Sequence, residues 1–411
     1  MGKTLLVSLV SDQTIPNVQL IKQLKAQVTD YLFVTTKGME DKGTRKWIES
    51  TCGIPEEQRD YIIVEEFSIK DIEEKLNAYD FKPCDKIIVN LTGGTKTMTL
   101  VASDFYKKVA NEIYYVTGRE NEYVKLFPQR KKSVLGFSEQ VTLKEYLSAY
   151  GFSIFESSLS GISFEQTCQI YLRFLTLKLD DYFDEMKYLS LKRSGEKCVK
   201  PEDYYKVSRF VETLSYKPIK NNQLTKKEVK YLTGDWFEEF IGFTIKNELD
   251  ISDENILIGA TLTKETPAKV KNDTRVLLND DPLISGNDSK NEMDVMFIYN
   301  GIFYSIECKS SIIAYKIIEK NGEKIERPYN ILGETIYKSD SLKNRFGLYP
   351  KTAIITLTDF VDYCHSDDNN IHHNKIREME NYINRANLSN IKLIDKKMLI
   401  SNSSLFDLIK N

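Results

Sequence analysis

The sequence predicts an α/β protein built from two units. Short apolar runs alternate with amphipathic segments through the first third of the chain, and an Asn-Gly pair near residue 300 joins two further alternating runs. At 411 residues the chain is also too long for one ordinary core. The composition, 41% hydrophobic and 28% charged, is that of a folded globular chain.

The formal net charge of −3 gives no global basic signature, so a nucleic-acid partner would have to meet a local patch. Lys217, Lys220, Lys226, Lys227 and Lys230 offer one, although such clusters are also the ordinary make-up of a solvated face. The six cysteines stand far apart with no CxxC spacing, which argues against a zinc site and a disulfide framework. No signal peptide pattern opens the chain and no apolar run has membrane-spanning length, so a cytoplasmic protein without a membrane partner is expected.

In the N-terminal part, strands are expected at 3–10, 31–35, 61–64, 85–90 and 112–116. Helical patterns lie between them at 18–25, 45–52, 69–79 and 95–109. Such alternation predicts a parallel sheet covered on both faces, with ligands bound at the C-terminal strand ends. The first strand is followed by Ser11-Asp12-Gln13-Thr14, with Pro16 in a helix first turn, and the second by Thr35-Thr36-Lys37-Gly38. The fourth is followed by Asn90-Leu91-Thr92-Gly93-Gly94-Thr95-Lys96, opening directly into a helix. Adjacent glycines allow backbone N–H groups to approach an anion, and the helix N-terminus, hydroxyls and a lysine add positive potential. The segment reads either as a phosphate cradle or as a tight turn capped by threonine. It matches neither the Walker A spacing nor GxGxxG, which weighs against NAD.

The stretch 9–17 and the Asn90–Lys96 segment resemble the CRISPR-associated Rossmann-fold (CARF) sensor domains of type III CRISPR effectors, over roughly residues 1–140. The resemblance implies a Rossmann-like domain whose homodimer binds one cyclic oligoadenylate, usually cyclic tetra-adenylate, across its two-fold axis. It implies ligand contacts from Ser11, Gln13, Thr92, Gly93, Gly94, Thr95 and Lys96, with Thr35 and Lys37 supported mainly by their place after a strand.

Beyond the sensor, 117–123 reads as a hairpin turn leading to a final short strand, 142–150 as a helix, and 164–191 as one long helical segment. Residues 141–225 are expected to form a helical linker and packing region, and 264–290 a polar, mobile loop. The segment 291–311 carries the chemistry. Asn300-Gly301 fixes a two-residue hairpin that sets Tyr299 against Ile302, Phe297 against Tyr304, and Asp294 against Glu307. One face, from Met293 and Val295 to Ile306 and Cys308, is apolar core, and the other gathers Asp294, Glu307 and Lys309. Two carboxylates opposite each other repel, and a hard divalent cation, Mg²⁺ or Mn²⁺, compensates them. Lys309 then orients or deprotonates water, or neutralises charge on a phosphate. The plain alternative is a salt-bridged hairpin edge.

Asp…Glu-x-Lys on consecutive strands resembles the PD-(D/E)XK nuclease core, with Met293-Asp294 in place of Pro-Asp. The resemblance implies a C-terminal α/β restriction-endonuclease-like domain over 226–411, and a further acidic ligand on a preceding helix. The helix expected at 233–249 offers Glu238 and Glu239. Glu238 is preferred, four residues from both Gly234 and Gly242, with Glu239 facing solvent. A strand at 351–357 and a helix at 371–385 complete that core, and Tyr337, Lys338 and Lys343 are candidate nucleic-acid contacts.

Together the two resemblances imply a nuclease activated by cyclic oligoadenylate, acting on single-stranded DNA or RNA or on duplex DNA. The HEPN ribonuclease module of other such effectors needs an arginine a few residues ahead of a histidine. His365, His372 and His373 are the only histidines, and none has one. A ligand-responsive regulator or binding protein without nuclease activity is the alternative reading.

Overall fold

The computed structural model describes residues 2–118, 121–128, 134–157, 159–177, 179–194, 198–264, 291–320, 323–365 and 369–410. Among these, no helix is long and apolar enough to cross a membrane. The expected loop at 264–290 falls outside the described residues from 265 onward, as do positions 119 and 120 of the expected turn.

The first sheet holds β1 (Thr4–Leu9), β2 (Asp30–Thr36), β3 (Arg59–Val64), β4 (Lys86–Asn90), β5 (Glu112–Val116), β6 (Glu122–Phe127) and β7 (Val134–Gly136), in the order β3-β2-β1-β4-β5-β6-β7. The first five run parallel, while β6 and β7 add antiparallel pairs. Leu5, Val7 and Leu9 pack on one side, with Met98, Ala102 and Tyr106, while Leu6 packs on the other with Val18 and Ile21. Both sides are covered, which is why these strands read as continuous apolar runs. Strand order reverses between β1 and β4, so the loops after those strands flank one crevice. Helices α1 (Ile15–Leu24) and α2 (Lys96–Tyr106) leave that crevice, α1 with Pro16 in its first turn and α2 capped by Thr95. Helix α3 (Leu143–Ala149) opens on a capping box of Thr142 and Glu145.

The second sheet has the order β15-β14-β11-β10-β9-β8, formed by β8 (Phe152–Ser157), β9 (Ile256–Lys264), β10 (Asn291–Tyr299), β11 (Ile302–Lys309), β14 (Lys351–Thr356) and β15 (Ile391–Ile394). A two-stranded ribbon, β12 (Ile313–Lys320) and β13 (Glu323–Asn330), stands apart. The stretch read from sequence as helical packing thus also contributes β8, an edge strand paired with β9. The expected single helix at 164–191 is broken: Phe164–Thr176 ends with Leu177 in extended backbone, and a new helix runs Phe183–Ser194 after a short 3-10 turn at Leu179–Tyr182. Aspartates favour helix starts over helix interiors, and Asp180-Asp181 falls at that break.

Helix α4 (Trp236–Leu249) lies on β9, β10 and β11 and buries Trp236, Phe237, Ile241 and Ile245 against Val295, Phe297 and Ile306. Each such side chain contributes about 1.5–3 kcal/mol. Gly242 permits the contact, because a Cβ there would stand 2.4 Å from Ile258 Cδ1. On the other side, α5 (Leu332–Lys343) and α6 (Asn369–Leu388) pack beside β14 and β15. The two units share a core: Tyr146 of α3 stacks on Phe303 of β11 with ring centroids 4.9 Å apart, and its hydroxyl donates to Phe346 O at 2.6 Å.

Candidate functional site

The Asn300-Gly301 turn has φ of 50° and 74°, and the pairs Tyr299–Ile302, Phe297–Tyr304 and Val295–Ile306 follow in the expected register. Continued by one residue, that register sets Asp294 against Glu307. The backbone ladder does not extend there. The Asp294 carboxylate accepts from the Cys308 N–H at 2.7 Å instead. Freed of β11 at this point, β10 turns Met293 into the core of Met296, Ile298 and Phe303. The expectation that Met293 shares the core of Val295 and Phe297 is therefore corrected.

Asp294 and Glu307 are both buried, with Lys309 between them: its Nζ lies 2.7 Å from Glu307 Oε1 and 3.6 Å from Asp294 Oδ2. Lys338 of α5 adds a second cation, 3.0 and 3.3 Å from the two Glu307 oxygens. Burial opposes the Glu307 charge, but Lys309 and Lys338 outweigh it and hold this carboxyl below its ordinary value. Burial and the Glu307 charge push Asp294 up to about 7. Burial also works against the Lys309 charge, yet Asp294 and Glu307 keep its pKa above the usual one.

Glu238 belongs to this group. Burial, followed by the charges of Asp294, Asp235 and Glu292, pushes it up to about 9. Glu239 does not face solvent as the sequence suggested. It is 2% exposed, and its carboxylate accepts from the Ser160 N–H at 2.5 Å and the Ser160 hydroxyl at 2.7 Å. The packing of the Phe164–Thr176 helix against α4, seen in the stacked rings of Tyr171 and Phe240, encloses that side of the helix.

Asp294 and Glu307 offer a divalent cation two buried oxygen donors, with Glu238 close enough to feel the Asp294 charge. Burial first, and neighbouring carboxylate charge second, raise Asp294 and Glu238 above their usual range, and a bound cation would offset both. Among the described residues no three His, Cys, Asp or Glu side chains form a ready-made metal group, and the lysines take up the Glu307 oxygens.

The second cluster lies at the β1/β4 crevice. Asn17 donates to Leu9 O at 2.9 Å and accepts from Asn90 at 2.7 Å, while Asn90 Oδ1 accepts from the Thr92 N–H and hydroxyl. These buried amides lock the two loops together, a role not read from the sequence. A Cβ on Gly93 would stand 2.0 Å from Leu9 O, and Gly94 has φ +78°, so the loop needs both glycines. Thr95 caps α2 and also donates to Glu66 O at 2.8 Å, and Lys96 is exposed in its first turn. Ser11 accepts from the Gln13 N–H at 3.3 Å, and Gln13 Oε1 accepts from the Leu348 N–H at 3.0 Å. Thr35 is fully buried and its hydroxyl has no hydrogen-bond partner among the described residues. Lys37 is exposed and begins a short helix, Lys37–Lys42, directly after β2.

Gln13 and Thr92 also line a cavity of about 150 Å³ between the two units, bounded on the far side by Gly301, Ile302, Leu348 and Tyr349. The structure thus brings the β1 and β4 loops together at one site. It brings Asp294, Glu307, Lys309 and Glu238 together at another.

Residues 5–146 match a family model, the Card1 CARF domain. No curated protein matches the chain. Among solved structures the chain is similar to protein VC1899 from Vibrio cholerae, at 15% identity and a TM-score of 0.68, covering 99% of this chain and 96% of that one. It is similar to Can2 from Sulfobacillus thermosulfidooxidans, solved in complex with cyclic tetra-adenylate, at 17% identity and a TM-score of 0.61, covering 96% and 94%. A type III CRISPR defence DNA nuclease activated by cyclic oligoadenylate matches at 12% identity and a TM-score of 0.50, over 87% of this chain and 45% of that one. At these identities the likeness is one of fold. The matched residues span the N-terminal, parallel-rich sheet and the loops that close its crevice, so this part of the chain is similar to the Card1 CARF domain.

Proposed function

We propose that this protein is a divalent-metal-dependent nuclease of type III CRISPR antiviral defence, switched on by a cyclic oligoadenylate, with cyclic tetra-adenylate as the activator. The observation that carries the reading is the convergence of Asp294, Glu307 and Lys309 on the second sheet of a chain whose first sheet matches a CARF domain. Of the similar structures, one is of a protein in complex with cyclic tetra-adenylate and another of a DNA nuclease activated by cyclic oligoadenylate, which supports the choice of signal.

In this account residues 1–140 sense, 141–225 connect and pack, and 226–411 cut. Ser11, Gln13, Thr92, Gly93, Gly94, Thr95 and Lys96 meet the activator. Gly93 and Gly94 keep the loop open to a phosphate, and Lys96 adds charge at the N-terminus of α2. Lys37, directly after β2, completes that edge, whereas Thr35, expected after the strand, lies within β2 and is fully buried. A cyclic ligand with repeated phosphates suits a site repeated across a homodimer axis.

At the other site Asp294 and Glu307, with Glu238, would hold Mn²⁺ or Mg²⁺, which supplies a Lewis acid for the phosphate and a more acidic bound water. Lys309, kept charged by the two carboxylates, stands where it can orient the attacking water and neutralise charge developing on the phosphate. The substrate is DNA, RNA or both, single-stranded or duplex.

The test is to incubate the protein with Mn²⁺, each cyclic oligoadenylate, and labelled single- and double-stranded DNA and RNA. Metal-dependent cutting that rises with one activator is the expected result. Activator binding without cutting of any substrate would favour a ligand-responsive regulator instead.

A further inference from the structure

Lys338 pairs with the carboxylate site although the expected catalytic constellation does not include it. It is borne on α5, and its Nζ bonds both oxygens of Glu307, the residue that also pairs with Lys309. Its side chain is 44% exposed, against 27% for Lys309, so a helix movement can shift Lys338 without rebuilding the core.

The C-terminal end of α5 is not free. The chain winds on without a break through hydrogen bonds from Arg345 N to Leu342 O and from Phe346 N to Lys343 O. Phe346 is buried between Phe152 and Phe303, with ring centroids 5.0 and 4.8 Å away. The segment 346–348 is then held at successive residues by Gln13 of the sensor and by Tyr146 and Tyr150, which directly follow the sensor. Tyr146 donates to Phe346 O, Gly347 packs on Tyr150, and the Leu348 N–H donates to Gln13. Gly347 has φ +99°, and a Cβ there would stand 2.4 Å from Tyr150 Oη and 3.1 Å from Gln13 Oε1. Only glycine fits this contact.

We propose that Lys338 is a positioning residue for Glu307, and that the sensor acts on the carboxylate site through it, by way of segment 346–348 and α5. The inference rests on the nuclease reading above. The Gln13 oxygen bonded to Leu348 belongs to an expected ligand residue and lines the cavity between the units. An activator that takes this amide removes one of the bonds holding the end of α5. The helix moves as a unit with its continuation, and Lys338 resets the Glu307 carboxylate. Two sites, a shared element and a bond that differs between bound and free states are what coupling requires.

The test uses the full chain with Mn²⁺, cyclic tetra-adenylate and labelled single-stranded DNA, with Glu307→Gln as the reference for the nuclease reading. Lys338→Ala should lower kcat by about 10- to 100-fold with little change in KM, the range seen when a group orienting a metal ligand is lost. Lys338→Arg should recover part of that loss, which a merely structural role would not predict. Tyr146→Phe keeps the ring on Phe303 but removes the bond to Phe346, and Gly347→Ala forces 346–348 off Tyr150. Both free the end of α5 without the activator, so both should raise unstimulated cutting towards the stimulated level and lose most of the further stimulation while still binding the activator. Should Gly347→Ala fail to fold, Tyr146→Phe decides. Normal kcat in Lys338→Ala, or full stimulation in Tyr146→Phe, overturns the inference while an inactive Glu307→Gln leaves the nuclease reading standing. Normal cutting by Glu307→Gln overturns both.

Discussion

Replacing Lys96 by alanine removes an exposed cation from the first turn of α2 and nothing from the core. Folding stability should therefore stay within about 0.5 kcal/mol of the parent. Binding is another matter. A charged hydrogen bond to a phosphate contributes about 1.5–3 kcal/mol. At about 1.4 kcal/mol per decade, losing it weakens the activator Kd roughly 10- to 150-fold. A cyclic ligand shared across a two-fold axis meets Lys96 twice, and the loss then squares. Titration calorimetry with cyclic tetra-adenylate measures the shift directly. Because the activator acts by mass action on a distant site, a concentration well above the weakened Kd should restore cutting to the parent level. A Lys96→Ala protein saturated with bound activator and still unable to cut would refute this division of labour and place Lys96 on the catalytic path.

Three further expectations follow from the same geometry. Gly93→Ala sets a Cβ against Leu9 O, an immovable backbone atom, so the loop must shift by about 1 Å and strain the Asn17 bond to the same oxygen. A cost of about 1–3 kcal/mol should lower the urea midpoint and weaken activator binding, and an unchanged midpoint would show that the loop is not so confined. Lys309→Ala should nearly abolish cutting while the protein stays folded by circular dichroism, and near-normal cutting would move the active site elsewhere. Glu145→Gln tests how α3 is fastened to α1. Burial works against the Glu145 charge, but Lys22 at 2.6 Å and the Thr142 N–H outweigh it and hold the carboxyl below its ordinary value. A depressed folded pKa gives stability that is present above the unfolded value and lost as pH falls through the folded one. The variant should therefore be about 1–2 kcal/mol less stable than the parent at neutral pH, with the gap closing below pH 4.5. A gap that stays constant with pH would contradict the ion pair.

Much of the fold is legible in the sequence because its signals are local. The inner parallel strands β1, β2 and β4 of the first sheet are buried on both faces and announce themselves as apolar runs. Asn300-Gly301 sets a register that needs no knowledge of the rest of the chain. What escaped depends on partners far away in sequence. Strand β8 is an edge whose pairing sets Phe152 against Lys264, and nothing near residue 152 signals that partner. Glu239 reads as a surface residue until Ser160 is brought to it from outside the helix. Lys338 reads as one lysine among many, and only the packing of α5 beside β11 sets it on Glu307. Asn17 and Asn90 were visible as residues but not as a lock, because β1 and β4 become neighbours only when the sheet forms.

The most direct test of the central claim compares the parent with Glu307→Gln, both folded and both carrying bound cyclic tetra-adenylate, in Mn²⁺-dependent cutting of labelled single-stranded nucleic acid. The substitution keeps the shape and removes one ligating charge. The account predicts cutting by the parent that a chelator abolishes, and a loss of at least about 100-fold in the variant. Cutting by Glu307→Gln at the rate of the parent would contradict it.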